Sequence, residues 1–260
     1  MPTLNITIIQ ADLHWHDAAA NRGMFEEMIA ALESPTDLIV LPEMFTTGFT
    51  MDAPGQHEPM DGPTLPWLQS TAQQAQAAVC GSVIIEDNGR YYNRFLCAMP
   101  DGELVQYDKR HLFRLAGEHE HYAAGTTLAT MTIKGVRVRP MVCYDLRFPV
   151  WSRRRTEDDY DALIYVANWP SPRHNAWQTL LRARAIENQC YVIGVNRTGT
   201  DGNNMPYAGG SAIIDYLGND LVDLGDAVGT ATAVLDQDKL GKFRDKFPFA
   251  VDADRFDVTV

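Results

Sequence analysis

Short apolar runs rich in β-branched residues recur along this chain, and several of them stop abruptly at a polar or reactive side chain. Leu4 to Ala11 carries Ile6, Ile8 and Ile9 and reads as a buried strand. Asp17 to Glu33 places Phe25, Met28, Ile29 and Leu32 at helical spacing. Asp37-Leu-Ile-Val-Leu-Pro is a second strand, and it ends at Glu43. Strand, helix and strand in quick succession favour a layered α/β protein.

The pattern continues. Pro66 to Ala78 predicts a helix with proline in its first turn. Val79 to Glu86 and Asn93 to Met99 predict a hairpin turning at Asp87-Asn88-Gly89-Arg90. Leu104 to Tyr107 is a short strand that runs into Asp108-Lys109. Met131 to Val142 reads as a hairpin turning at Lys134-Gly135 and finishing at Cys143. Asp161 to Ala167 is a strand leading into Asn168-Trp169-Pro170. Trp177, Leu180, Leu181 and Ala185 mark an amphipathic helix. Cys190 to Val195, Ser211 to Asp215 and Thr230 to Leu235 are further strands, and Leu240, Phe243 and Phe247 close with a helix. Met44 to Pro63, Leu112 to Gly125 and Thr198 to Pro206 read as loops, the usual carriers of binding residues. A faint internal echo links Asp37-Leu-Ile-Val-Leu-Pro to Asp161-Ala-Leu-Ile-Tyr-Val, as two packed sheets of similar construction would give. No linker or low-complexity segment interrupts, so one domain over residues 1–260 is expected.

Charge and cysteine usage narrow the function. The formal net charge is -12, which disfavours a nucleic-acid or anionic-membrane surface, since both want a basic face. The start lacks a signal-peptide pattern, and no stretch has the length of a membrane-spanning helix. Cys80, Cys97, Cys143 and Cys190 are scattered without a CxxC pair, which argues against a disulfide framework or zinc knuckle. The expected compartment is the cytoplasm.

Three of the strands end at Glu43, Lys109 and Cys143. Singly, each has a bland reading: two solvated turn residues and a buried core thiol. Together they are a base, a cation and a nucleophile at strand ends, where layered α/β proteins build sites. A free thiol, with a reference pKa of about 8.5, is mostly protonated at neutral pH. A neighbouring carboxylate can take its proton, and an ammonium favours the thiolate. Lys109 and the backbone N–H of Tyr144 can then hold a developing oxyanion, where one donor is worth about 3 kcal/mol.

Leu41-Pro42-Glu43-Met44-Phe45, Tyr107-Asp108-Lys109-Arg110-His111-Leu112-Phe113 and Val142-Cys143-Tyr144-Asp145-Leu146-Arg147-Phe148-Pro149 resemble, in order and separation, the three blocks of the carbon–nitrogen hydrolase (nitrilase) superfamily. The resemblance runs from about residue 4 to about residue 248, and Tyr165-Val-Ala-Asn-Trp-Pro brings it nearest to the ω-amidase branch. It implies a four-layer α-β-β-α sandwich, a Glu43-Lys109-Cys143 triad, no metal or organic cofactor, and a homodimer or higher homo-oligomer. It also implies a second glutamate between the Lys and Cys blocks. Glu118 and Glu120 compete for that role, and counting back from Gly125 favours Glu118.

The implied substrate is a small ω-amide of the 2-oxoglutaramate or 2-oxosuccinamate type, hydrolysed to the acid and ammonia. Its far carboxylate needs a cation, for which Arg147 and then Arg173 are candidates. Trp169, Phe45 and Phe113 are candidate pocket walls, each equally readable as core. Rival readings are a nitrile or N-carbamoyl hydrolase, a Cys–His acyltransferase using His111, His119 or His121, a metal site over residues 118–121, and a non-catalytic binding protein.

Overall fold

The computed structural model describes residues 3–155 and 157–259. Fifteen strands are described: β1 (Thr3–Gln10), β2 (Leu38–Val40), β3 (Glu58–Pro59), β4 (Ala78–Asp87), β5 (Arg90–Ala98), β6 (Leu104–Asp108), β7 (Met131–Ile133), β8 (Val136–Val142), β9 (Ala162–Val166), β10 (Tyr191–Val195), β11 (Thr198–Thr200), β12 (Pro206–Ala208), β13 (Ala212–Ile214), β14 (Asp220–Asp223) and β15 (Gly229–Asp236). The helices are α1 (Ala18–Ala30), α2 (Ala53–Gln56), α3 (Thr64–Ala75), α4 (Glu118–His121), α5 (Pro149–Ser152), α6 (His174–Asn188) and α7 (Gln237–Lys246).

Two sheets face each other. One runs β15-β1-β2-β4-β5-β6, with β3 added beside β4; the other runs β7-β8-β9-β10-β13-β14. Strand alternation explains how the first sheet is buried on both faces. Leu4, Ile6, Ile8, Leu38, Val40, Cys80, Phe95 and Cys97 point into the core between the sheets. Their neighbours Ile9, Ile39, Leu41, Val79, Leu96 and Ala98 point outward, where Phe25 of α1 and Leu68 and Ala72 of α3 cover them. On the far side α6 seats Trp177 and Leu181 against β10, where Gly194 leaves room: an added Cβ would stand 2.5 Å from Leu181. The result is the four-layer α-β-β-α sandwich.

The two sheets are built alike. β1, β2 and β4 are mutually parallel neighbours, as are β8, β9 and β10. Each trio is flanked by antiparallel strands, β15 and β5 on one sheet, β7 and β13 on the other. The two aspartates of the sequence echo sit in matching places. Asp37 accepts from the Asn5 N–H at 2.9 Å, and Asp161 accepts from the Arg137 N–H at 3.0 Å. Each locks the start of a central strand to its neighbour.

The predicted loops carry short elements: α2 and β3 lie within Met44 to Pro63, and α4 lies within Leu112 to Gly125. Thr198 to Pro206 is not a plain loop, because β11 and β12 pair across it around Asp201. The strand β14 was missed, its Asp220-Leu-Val-Asp being short and largely exposed. Among the described residues no helix is long and apolar enough to cross a membrane.

Candidate active site

Glu43, Lys109 and Cys143 converge because β2, β6 and β8 all deliver their C-terminal ends to one region. Lys109 Nζ donates to Glu43 Oε1 at 3.0 Å and to Glu118 Oε1 and Oε2 at 2.8 and 3.0 Å. All three side chains are fully buried. Burial alone would depress the ammonium, but Glu118 and then Glu43 overcome it and hold Lys109 above its ordinary value. Burial raises Glu118 against the pull of Lys109. Glu120, the competitor, stays exposed on the other side of α4.

Glu43 is held from two directions. Asn93 Nδ2 donates to Oε1 at 2.8 Å, and the Asn168 N–H donates to Oε2 at 2.7 Å. Asn168 Nδ2 also donates to the Glu43 carbonyl at 2.6 Å. Such fixing keeps one carboxylate oxygen aimed at a constant place, which a proton-transfer group needs.

Cys143 follows β8 at once and opens a tight 3-10 turn, Cys143–Arg147, with φ of 44°. A non-glycine residue there is strained by about 1–3 kcal/mol, and the surroundings must enforce it. Asp145 does so. Its buried carboxylate accepts from the Val142 N–H at 3.0 Å, the Tyr107 hydroxyl at 2.7 Å and the His111 N–H at 2.9 Å. The Tyr144 N–H lies in the first turn, where amide groups lack intrahelical partners. The surroundings also act on the Cys143 thiol. Burial and then Glu43 push it well above the ordinary thiol value, and Lys109 recovers only part of this.

A cavity of about 530 Å³ opens over Cys143 and Lys109. Tyr144, Arg147, Trp169, Phe113 and Arg173 all line it. The Arg147 guanidinium lies 4.9 Å over Trp169, and that of Arg173 lies 5.1 Å over Phe113. Glu118 reaches this wall too, since its Oε2 accepts from the Phe113 N–H at 2.5 Å.

Phe45 is a correction. It is fully buried under the outer helices, edge-on to Phe25 at 5.7 Å, and does not line the cavity. Its neighbour in the loop, Phe49, takes the wall position, 5.2 Å from Lys109 Nζ. The rival histidines are elsewhere: His111 Nδ1 faces Asp145 at 2.7 Å with its ring stacked on Phe148, and His119 and His121 sit on α4 outside the cavity. The metal reading of residues 118–121 loses its ligand set, because Glu118 is engaged by Lys109 while Glu120 faces solvent. Sequence reasoning missed Trp15, His16, Phe49 and Tyr207 in the lining and Asn93 and Asp145 behind it. An asparagine in mid-strand, Asn93, is itself a signal, because buried amides need partners.

The chain belongs to the carbon-nitrogen hydrolase family, whose model matches residues 5–245. It is 46% identical over 258 residues to the omega-amidase YafV of Escherichia coli strain K12, covering 98% of this chain and 99% of that one. It is 35% identical over 246 residues to the 2-oxoglutaramate amidase of Bacillus subtilis strain 168, covering 94% and 95%. The solved structure of XC1258 from Xanthomonas campestris, a CN-hydrolase superfamily protein with an arsenic adduct in its active site, superposes with a TM-score of 0.97 at 45% identity over the whole of both chains.

Proposed function

We propose that this protein is an ω-amidase that hydrolyses the terminal amide of small 2-oxo dicarboxylic monoamides through a cysteine thioester. The observation that carries this is the Lys109 ammonium held between two buried carboxylates beside Cys143 on the cavity. The relatives named omega-amidase and 2-oxoglutaramate amidase support the substrate class.

Glu43 takes the Cys143 proton as the sulfur attacks the amide carbon. The carbonyl oxygen becomes an oxyanion, held by Lys109 and the Tyr144 N–H. Collapse of this intermediate breaks the C–N bond, and Glu43 returns the proton to the nitrogen so that ammonia leaves and not an amide anion. Water then attacks the thioester carbon with Glu43 as base. The thiol is regenerated and the carboxylic acid departs. Glu118 keeps Lys109 charged and in place without entering the bond changes. Arg147 and Arg173, both on aromatic faces of the cavity wall, are the cations for the distal carboxylate.

Ammonia release is measured from 2-oxoglutaramate, 2-oxosuccinamate, glutamine, asparagine, an aliphatic nitrile and an N-carbamoyl amino acid. Wild type is expected to release it from the two oxo-amides, and Cys143→Ala from none while remaining folded. Turnover of the nitrile or carbamoyl compound alone refutes the substrate assignment, and appreciable turnover by Cys143→Ala refutes the thioester.

A further inference from the structure

Asn168 has one more polar atom than its structural role uses. Its backbone N–H holds Glu43 Oε2, and its Nδ2 holds the Glu43 carbonyl at 2.6 Å. That second bond fixes the amide's orientation, because a flipped side chain would set oxygen against oxygen. Oδ1 is thereby left over. It is buried without a hydrogen-bond partner, on a residue that is 4% exposed and lines the cavity with Cys143 and Lys109. Buried acceptors are rarely left empty, and one beside a reactive centre calls for a donor that arrives with the ligand.

We propose that Asn168 Oδ1 accepts a hydrogen bond from the –NH2 group of the scissile amide and so selects primary amides over esters and nitriles. Lys109 and the Tyr144 N–H are donors and take the carbonyl oxygen. Glu43 lies against Asn168, so an acceptor there orients the departing nitrogen toward the carboxyl that must protonate it. A primary amide supplies the required N–H. An ester oxygen offers only lone pairs, which Oδ1 repels, and a nitrile nitrogen carries no hydrogen. This rests on amide hydrolysis at Cys143.

The test is the ratio of kcat/KM for an ω-amide to that for the methyl ester of the same acid. Both substrates give one thioester and both need Glu43 and Lys109, so a purely structural loss lowers both rates and leaves the ratio alone. Asn168→Ala is expected to lower the ratio about tenfold, the worth of one good hydrogen bond. Asn168→Asp keeps an acceptor while losing the donor to Glu43, so its rates fall and its ratio is held. Should Asn168→Ala not fold, Asn168→Ser, too short to reach, is read by the same ratio. An unchanged ratio in Asn168→Ala or Asn168→Ser overturns the proposal, as does a ratio in Asn168→Asp that falls as far as that of Asn168→Ala. A wild type that releases no ammonia from any amide removes the underlying reaction instead, so the two failures are distinguishable.

Discussion

At the scale of single residues, opposing charges act on the Cys143 thiol. Burial and the Glu43 carboxylate raise the Cys143 thiol, and Lys109 opposes them. Replacing Glu43 by Gln removes one of the raising charges and leaves the ammonium. Glu43→Gln is therefore expected to ionise its thiol at lower pH than wild type, while losing at least about a hundredfold in turnover for want of the general base. Ultraviolet titration of the thiolate, with Cys143→Ala as blank, checks the direction; a titration moved to higher pH contradicts it. Glu43, Lys109 and Cys143 were legible in the sequence as site candidates because each ends a well-marked strand. Asn93, Asn168 and Asp145 were not read as site residues, since their roles lie in which atom faces which, and no periodicity carries that. Phe45 misled for the same reason: one turn of loop separates it from Phe49, and only the backbone direction decides which ring meets the cavity.

At the scale of elements, the cluster depends on how loops return to strand ends. Gly125 donates its N–H to the Lys109 carbonyl at 2.9 Å, and a Cβ there would stand 2.1 Å from the Asp108 carbonyl oxygen. That atom is backbone and cannot swing away. Gly125→Ala must push the end of β6 aside, and with it Lys109. We expect a stability loss of about 1–3 kcal/mol in denaturant melts, with kcat reduced more than tenfold. An unchanged melt with unchanged kcat would show that β6 yields without moving the lysine. The glycine from which Glu118 was counted is thus the one that lets the Glu118 loop close on Lys109. Element type was readable wherever a run was long and periodic, as in β4, β5 and α6. It failed at β11, β12 and β14, which are only three or four residues long, too short to show a strand period, and β14 is largely exposed besides.

At the scale of the whole molecule, the weak Asp37–Asp161 echo reflects two sheets with the same order of parallel and antiparallel neighbours. In the second sheet the flanking strand β7 leads directly into β8 through Lys134-Gly135. In the first sheet the matching strand is β15, which lies at the other end of the chain and pairs with β1 from Thr3↔Asp236 to Gln10↔Gly229. A chain cut before Gly229 is expected to leave β1 open along its length, an edge suited to pairing with other chains. Light scattering and size-exclusion chromatography of residues 1–227 should then show aggregates, and a monodisperse monomer would contradict this. For a polypeptide leaving the ribosome the same pairing fixes an order of events. Of the described strands the first made waits for the last made, so this sheet stays unfinished until β15 has emerged, and whatever shelters the nascent edge of β1 must do so until then.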